Sequence, residues 1–460
     1  MIGSVTRPPK RRRAAIVEAA ARPAAKPSLA ASIGWSLGGT VVYNACQWGT
    51  VVACARLGNE AMVGQFARGM AITTPIVLLA NCALRTVQAT DVRDQFHFSD
   101  YLLFRAIALT LASVAILAIV GSIHLDLEAA CVVVAIAAMK ILESLSDLLQ
   151  GLMQRHERLD WISQSQMLRG AGALLAFATG LITTHSLTLA SVATVGVYLV
   201  TLVAFDVPRF RRLIQPAGAQ EAQAARLSAD DLRQRRSRLW QLAYLALPMG
   251  ATVASASLLF YLPRYFIDRY LGTDALGVYS ALAWLTLGGS LVATALNHAA
   301  LPRMSQQFAS GDYAAFRRLA IGLLASMSVV GLLASGAVLL VRTPLISLIY
   351  GEAYVPSFGT LALLMLSMLF AMQVCCLDHS LYAARWFAIQ APLNVITVAF
   401  ALAAGWWFVP SGGLAGAALV ACLAMGLQAA LRLPLLYLVL RHLRQAAQST
   451  AEEPGWGFAG

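Results

Sequence analysis

The chain has 460 residues, of which 59% are hydrophobic and only 12% are charged, and its formal net charge is +12. This balance leaves too little polar surface to cover a soluble domain of that size, so the composition excludes a water-soluble globular enzyme and predicts a membrane protein.

Twelve apolar segments follow one another along the chain, each long enough to cross about 30 Å of hydrocarbon as a helix. They lie near residues 32-55, 69-88, 102-122, 129-152, 166-184, 187-205, 240-262, 276-300, 319-341, 358-381, 387-408 and 413-440. No segment shows the residue alternation of a membrane β-strand, and helices satisfy the backbone hydrogen bonds in lipid. The sequence therefore predicts an all-α integral membrane protein.

The basic start of the chain, MIGSVTRPPKRRR, is similar to the first region of a signal peptide. The apolar run behind it is long and lacks a convincing small-residue cleavage site, so we interpret it as a retained first span. The seven cysteines lie inside predicted spans without metal-type spacing, which favours small apolar packing residues. No metal or cofactor is expected.

The positive charges are distributed unevenly between the two predicted sides of the membrane. The predicted cytoplasmic segments carry 27 lysines and arginines and the external segments carry five. This asymmetry predicts that both termini are cytoplasmic. Three basic segments are then cytoplasmic: a tail at 1-28, an arginine-rich linker at 206-239 and a tail at 441-460. Anionic lipids, and no nucleic acid, are their expected partners.

One line of sequence occurs twice. QFHFSDYLLFR at 95-105 returns 212 residues later as QFASGDYAAFR at 307-317, with six of eleven positions identical, and LGNEAMVGQFA at 57-67 matches LGTDALGVYSA at 271-281 with a one-residue slip. The pairs predict two six-helix bundles, 29-205 and 240-440, related by a pseudo-twofold axis along the membrane normal around a central cavity. We interpret each QF…DY..FR segment as a short amphipathic surface helix with its Asp and Arg exposed.

Three segments resemble a known family. LGNEAMVGQFA at 57-67, KILESLSDLLQGLMQRHERLD at 140-160 and LIYGEAYVPS at 348-357 are similar to the Wzx-type polysaccharide flippases of the multidrug/oligosaccharidyl-lipid/polysaccharide exporter (MOP) superfamily. The resemblance implies a fold like that of the multidrug and toxin extrusion (MATE) transporters. It also implies transfer of undecaprenyl-pyrophosphate-linked oligosaccharides from the cytoplasmic to the periplasmic leaflet of a bacterial inner membrane. A proton or sodium gradient would drive the transfer, and a polysaccharide polymerase is a candidate partner.

The fourth span carries a polar stripe. Its members recur at steps of three and four residues and therefore share one helix face; they begin with Lys140, Glu143, Asp147 and Gln150. Each charge at bilayer depth costs about 2.5 to 3.5 kcal/mol, so the stripe is expected to face protein or water and to line the path of a polar headgroup. The alternative is structural: Lys140 pairs with Glu143 one turn on, and Asp147 marks the helix end.

Other candidates lie near span ends. Arg85, Arg169, Arg264 and Arg269 suit a diphosphate, because guanidinium matches phosphate oxygens in bidentate fashion; snorkelling to the membrane surface is the alternative. Asp378 and His379 are candidates for ion coupling. Adjacent helical positions diverge by about 100°, so these two side chains need not face one cavity.

An enzyme is disfavoured, because the sequence contains no G-x-S-x-G, H-E-x-x-H or P-loop motif. Three other functions remain open. The first is a drug or small-solute antiporter of the same superfamily. The second is a major-facilitator transporter, although LRTVQATDVRDQF between spans two and three lacks that family's glycine. The third is a scaffold that recruits polymerase or transferase partners through its tail and linker.

Overall fold

The computed structural model describes residues 28–91, 95–123, 125–214, 229–386 and 389–452, and no strand occurs among them. The predicted basic tail therefore lies almost wholly outside the described residues, as do 215–228 of the predicted linker and the last part of the C-terminal tail. The helices of the first half are α1 Leu29–Leu57, α2 Glu60–Asn81, α3 Leu84–Thr90, α4 Phe98–Ser122, α5 Leu127–Arg155, α6 Leu159–Thr184 and α7 Leu187–Val200. A π-helical turn, Thr201–Asp206, joins α7 to α8 Val207–Ile214.

The second half contains six more helices. They are α9 Ala229–Tyr270, α10 Thr273–Ala309, α11 Tyr313–Leu340, α12 Arg342–Ile349, α13 Phe358–Ala383 and α14 Gln390–Glu452, with a 3₁₀ turn at Glu352–Tyr354. Gly413 has φ of 57° and breaks α14 into a first arm, 390–412, and a second arm, 414–452. A positive φ at this position suits glycine, which lacks the Cβ that makes the conformation costly.

Within the described residues, ten helical segments are long and apolar enough to cross a membrane. The last of them is divided at Gly413, and α1 adds a further 29-residue helix, so twelve spans are present. The prediction of an all-α membrane protein with about twelve spans is confirmed. Successive spans alternate in direction, which defines two sides. We call the side of the α2–α4, α5–α6, α10–α11 and α13–α14 connections the basic side and the other the far side.

Polar residues fix where several helices begin. The side chain of Asn59 accepts a hydrogen bond from Met62 N at 2.9 Å, and Asp312 accepts one from Ala315 N at the same distance. Such N-caps satisfy backbone N–H groups that the first helical turn leaves unpaired. Because successive spans alternate in direction, these starts of α2 and α11 lie at opposite membrane surfaces.

The two halves meet closely on the far side. A Cβ on Gly64 would lie 1.9 Å from the Thr273 carbonyl oxygen, and one on Gly277 would lie 2.0 Å from that of Glu60, so only glycine allows α2 and α10 to pack this closely. Arg56 at the end of α1 donates hydrogen bonds to the carbonyls of Ser347 and Ile349, and Trp48 Nε1 donates to Tyr350 Oη at 2.7 Å. These contacts join the halves across the far side.

On the basic side α9 makes all of the hydrogen bonds between the halves of the described chain. Arg238 Nε donates to Asp100 Oδ2 at 2.8 Å, and Arg235 Nη2 donates to the Ser99 carbonyl at 3.2 Å. Leu242 and Ala246 of α9 pack with buried residues of the first half, and a Cβ on Gly250 would meet Cys82 Cα at 2.6 Å. The helix α9 is thus anchored to the first half at its basic end.

The repeated line is not the surface helix that its composition predicted. In both copies it forms the connection into a long span and that span's first turns. In the first copy Asp100 and Arg105 are fully buried, whereas Asp312 and Arg317 of the second copy are exposed. The copies differ because the arginines of α9 reach Asp100, so the burial is set by a tertiary contact and not by local amphipathicity.

The predicted linker is partly helical. Residues 207–214 extend the sixth span as α8, and residues 229–239 are the first turns of α9. The chain between them lies outside the described residues.

We predict that Gly277→Ala lowers the thermal unfolding midpoint of the detergent-solubilised protein. The new methyl group clashes with the Glu60 backbone, a strain of about 1 to 3 kcal/mol that exceeds the gain of about 1 kcal/mol from replacing a helical glycine. Gly336→Ala, where the added methyl meets nothing within 4 Å, is the matched control and should not lower the midpoint. An unchanged midpoint for Gly277→Ala would contradict this packing.

Candidate functional site

The polar stripe of α5 divides into two clusters along the helix. Lys140 and Glu143 lie near its middle, and Asp147 and Gln154 lie closer to its basic end. The exposed fractions of the Lys140, Glu143 and Asp147 side chains are 13%, 26% and 31%. These side chains are therefore not completely buried. We do not expect their exposed parts to face lipid, because a charge in lipid is costly. Their partial exposure indicates a polar space along this face of α5.

The upper cluster is centred on Glu143. Lys140 Nζ donates to Glu143 Oε2 at 2.9 Å, and the Tyr43 hydroxyl of α1 donates to Glu143 Oε1 at 2.5 Å. The predicted pairing of Lys140 with Glu143 one turn on is therefore present. A carboxylate that accepts from both an ammonium and a phenol is stabilised in its charged form, because charge-assisted hydrogen bonds are the stronger kind.

Three more side chains extend this cluster across the first half. Gln47 Nε2 donates to the hydroxyls of Tyr43 and Tyr198, at 2.8 and 3.1 Å. The guanidinium of Arg169 on α6 lies over the rings of Tyr43 and Tyr198, with its carbon 5.7 and 5.5 Å from the ring centroids. Arg169 is 4% exposed, and its Nε has no hydrogen-bond partner among the described residues. Stacking on two tyrosines partly offsets the cost of burying this cation.

The lower cluster lies at the basic end of the same helix. Arg85 of α3 donates to Gln154 Oε1 at 2.8 Å and to Asp147 Oδ1 at 3.3 Å. Arg105 of α4, which is fully buried, lies 3.6 Å from Asp147 Oδ2 and donates to Ser144 Oγ at 2.8 Å. Asp147 thus lies between two arginines, so the end of the stripe carries net positive charge.

Gln150 lies at the buried edge of the predicted stripe, with its Oε1 3.5 Å from Arg85 Nη1. It is 1% exposed and donates through Nε2 to Ser146 Oγ at 3.2 Å and to Ser165 Oγ at 3.3 Å. Ser146 in turn donates to Asp206, a fully buried residue of the π-helical turn. Gln150 therefore packs inside the first half and ties α5 to α6 and to the turn after α7.

The far-side arginines have different surroundings. Arg68 is held by Asp268 through hydrogen bonds of 2.7 and 2.5 Å, which neutralise it. Arg264, 3% exposed, donates to Ser280 Oγ at 3.2 Å and to the Phe260 carbonyl at 2.7 Å, and no carboxylate of the described chain pairs with it. Arg269 is exposed at the end of α9. The structure therefore places Arg269 at the far-side end of α9 and Arg264 further inside that helix, beside Tyr261.

The acid and imidazole of α13 point to different neighbours. Asp378 accepts from Arg432 Nε at 2.5 Å, and Arg432 also donates to Asn394 Oδ1 at 3.0 Å. The His379 ring instead lies 5.1 Å from that of His298 on α10. The divergence expected for adjacent helical positions is present, and Asp378 and His379 do not form one unit.

Several of these partners are not predictable as site residues from the sequence. Tyr43 and Tyr198 are aromatic residues in apolar spans, and Arg432 follows a run that is otherwise apolar. A lone arginine in a predicted span indicates a buried ion pair or a polar cavity, because only these offset the free-energy cost of a charge inside the membrane. The tyrosines carry no such signal, since only the tertiary fold brings α1 and α7 to Glu143.

A comparison with known families identifies the chain's relatives. A family described as polysaccharide biosynthesis protein matches residues 29–308, which is more than half of the chain. The chain belongs to this family. It is 22% identical over 377 residues to the capsular polysaccharide biosynthesis protein CapF of Staphylococcus aureus, covering 81% of this chain and 90% of that protein. The resemblance to the Wzx-type members of the MOP superfamily is confirmed.

Solved structures show the same fold. A MATE-family multidrug resistance transporter of the MOP superfamily in an inward-facing conformation matches with a TM-score of 0.62 at 13% identity, covering 88% of this chain and 95% of that chain. A MOP superfamily transporter from Pyrococcus furiosus matches with a TM-score of 0.60 at 12% identity, covering 90% and 95%. The protein therefore has the MATE-like fold of a multi-pass membrane transporter, and the major-facilitator alternative is wrong. Family and fold point to a transporter rather than to an enzyme.

We predict that the Lys140–Glu143 pair is energetically coupled. Glu143→Leu should lower the free energy of unfolding by about 1 to 3 kcal/mol, less than for a fully buried pair because both side chains are partly exposed. Lys140→Met with Glu143→Leu should cost at least about 1 kcal/mol less than the sum of the single changes. The double-mutant cycle is measured by unfolding in mixed micelles. Additive costs would show that the two charges are not coupled.

Proposed function

We propose that this protein flips a polyprenyl-diphosphate-linked oligosaccharide for surface polysaccharide synthesis, from the leaflet on the basic side to the leaflet on the far side. The distribution of positive charge supports a cytoplasmic basic side, and the polysaccharide biosynthesis family supports a bacterial inner membrane as the location. The observation that carries the proposal is the partly exposed stripe of α5. It offers cations and hydrogen-bonding groups from the helix middle to the basic surface, within a family of polysaccharide biosynthesis proteins.

The stripe fits a diphosphate and its sugars. Arg85 and Arg105 flank Asp147 at the basic end, where a headgroup would enter. Lys140 and Arg169 lie deeper, and the guanidinium of Arg169 has an unpaired Nε that a phosphate oxygen can satisfy. Carboxylate and amide groups of Glu143 and Gln47 supply acceptors and donors for hydroxyls. The polyprenyl chain would remain in the hydrocarbon of the bilayer throughout, so it would not have to pass through water or through the protein.

Movement of such a headgroup requires the halves to rearrange. The far side is held by the Gly64–Gly277 packing and by Arg68 with Asp268, so passage to the far leaflet requires these contacts to separate. We propose alternating access driven by a proton or sodium gradient. Asp378 and His379 stay candidates for coupling, with the pairing of Asp378 to Arg432 as the contact that a bound cation would have to loosen. A polysaccharide polymerase is the proposed partner on the far side.

The flipping step is tested directly in cells. Deletion of the gene should cause lipid-linked oligosaccharide to accumulate in spheroplasts, in a pool that an external, membrane-impermeant sugar-oxidising probe cannot reach. The wild-type gene should restore access. A pool that stays fully accessible, or no accumulation, would contradict the proposal and favour a small-solute antiporter or a scaffold.

We further predict that Lys140→Ala combined with Arg169→Ala reduces polymer output by about a hundredfold or more, because each of the two lost hydrogen bonds to a charged group contributes about 1.5 to 3 kcal/mol. Arg169→Lys keeps the charge and should retain part of the output. Arg317→Ala, which removes an exposed cation on the basic side, is the matched control. Unchanged output from the double variant at normal protein level would mean that these cations do not bind the substrate.

A further inference from the structure

A lateral cleft separates α4 from α9 on the far side. At the basic end the two helices touch, where Arg238 binds Asp100 and Leu242 packs in one cluster with Tyr101. Toward the far side they form opposite walls of a cavity of about 920 Å³, with α2 at its back. A volume of this order is typical of ligand sites.

The cleft faces the hydrocarbon that surrounds the protein. The apolar side chains of α4 outside the cleft are exposed, as at Leu111 and Val114, and so are Leu247 and Val253 of α9. In a bilayer such surfaces contact lipid, so α4 and α9 are perimeter helices. A space between two perimeter helices is reached from the side by lipid molecules.

The lining of the cleft changes from apolar to polar along the membrane normal. Its inner part is formed by Ile72, Ile76 and Leu258, while Ser122, Asp126 and Arg269 lie at the ends of their helices near the far surface. This arrangement matches an amphiphile with its headgroup at the far surface and its chain directed toward the bilayer centre. A wholly polar ligand would leave the apolar lining without apolar contacts, and a wholly apolar ligand would leave the polar lining without hydrogen-bond partners.

One buried cation on the wall has no anionic partner in the described chain. Arg264 is 3% exposed and lies over the rings of Phe260 and Tyr261, at 4.4 and 5.1 Å from their centroids. Its neighbour Arg68 is already neutralised by Asp268. A buried guanidinium that is only partly hydrogen-bonded is stabilised further by a phosphate, which accepts two parallel N–H bonds.

We propose that this cleft is a binding site for an anionic phospholipid of the far-side leaflet. The phosphate is held by Arg264, the rest of the headgroup by Arg269 and Ser122, and an acyl chain lies on Ile72 and Ile76. The two arginines outweigh Asp126, the only unpaired acid in the lining, so a net negative headgroup is favoured over a zwitterionic one. No residue of the α5 stripe lines this cleft, so the site stands whether or not the protein flips oligosaccharides.

The test is native mass spectrometry of the full-length protein titrated with phosphatidylglycerol or phosphatidylcholine of the same chain length. The wild-type protein should retain one phosphatidylglycerol with an affinity about tenfold or more above that for phosphatidylcholine. Arg264→Met should remove this preference, and Arg264→Lys should retain part of it, since lysine keeps the charge without the planar donor pair. Arg342→Gln, which removes a far-side arginine stacked on Phe358 outside the cleft, should change nothing.

Three outcomes would overturn the proposal. They are equal retention of the two lipids, an unchanged preference in Arg264→Met, and stronger retention of a short polyprenyl diphosphate than of phosphatidylglycerol. If Arg264→Met does not fold, Arg269→Gln provides the test, because Arg269 is exposed and its loss leaves no buried group unpaired. That variant should weaken phosphatidylglycerol binding severalfold, and wild-type affinity in it would also count against the site.

Discussion

A charged side chain at bilayer depth costs about 2.5 to 3.5 kcal/mol, and this chain holds several of them inside its helices. The fold meets that cost in different ways. Lys140 is paired with Glu143, and Arg432 with Asp378. Arg169 and Arg264 are instead stacked on aromatic rings and hold no carboxylate by a hydrogen bond in the described chain. The first kind is neutralised by a direct ion pair, whereas the second keeps N–H groups that no carboxylate of the described chain accepts from.

The positions of these two arginines connect the fold to the proposed chemistry. Arg169 belongs to the first half and lies beside the partly exposed stripe of α5, whereas Arg264 lies on the wall of the far-side cleft. At both positions a phosphate could accept hydrogen bonds from guanidinium N–H groups that otherwise lack a partner among the described residues. The glycine contacts between α2 and α10 hold the two halves together on the far side.

Much of the fold could be predicted from the sequence, because the hydrophobic runs and the repeated line are local signals. The spacing of Lys140, Glu143 and Asp147 predicted one helix face, and all three lie on α5 with partly exposed side chains; that this face avoids lipid stays a prediction. Gln150 shares that spacing yet turns inward, since a helix face is wide enough for its members to meet different neighbours. The burial of Asp100 was not predictable, because it depends on α9, which lies more than a hundred residues away. The functional roles of the stripe and of Asp378 and His379 stay predictions.

The central claim is that the charges of α5 face water and not lipid. It is tested most directly by substituted-cysteine accessibility in a variant whose seven native cysteines are replaced by alanine. Lys140→Cys and Asp147→Cys should react with a membrane-impermeant thiol reagent in inside-out vesicles and be protected in right-side-out vesicles. Val134→Cys, on the lipid-exposed face of the same helix, should react in neither. Unreactive Lys140→Cys and Asp147→Cys would contradict the account.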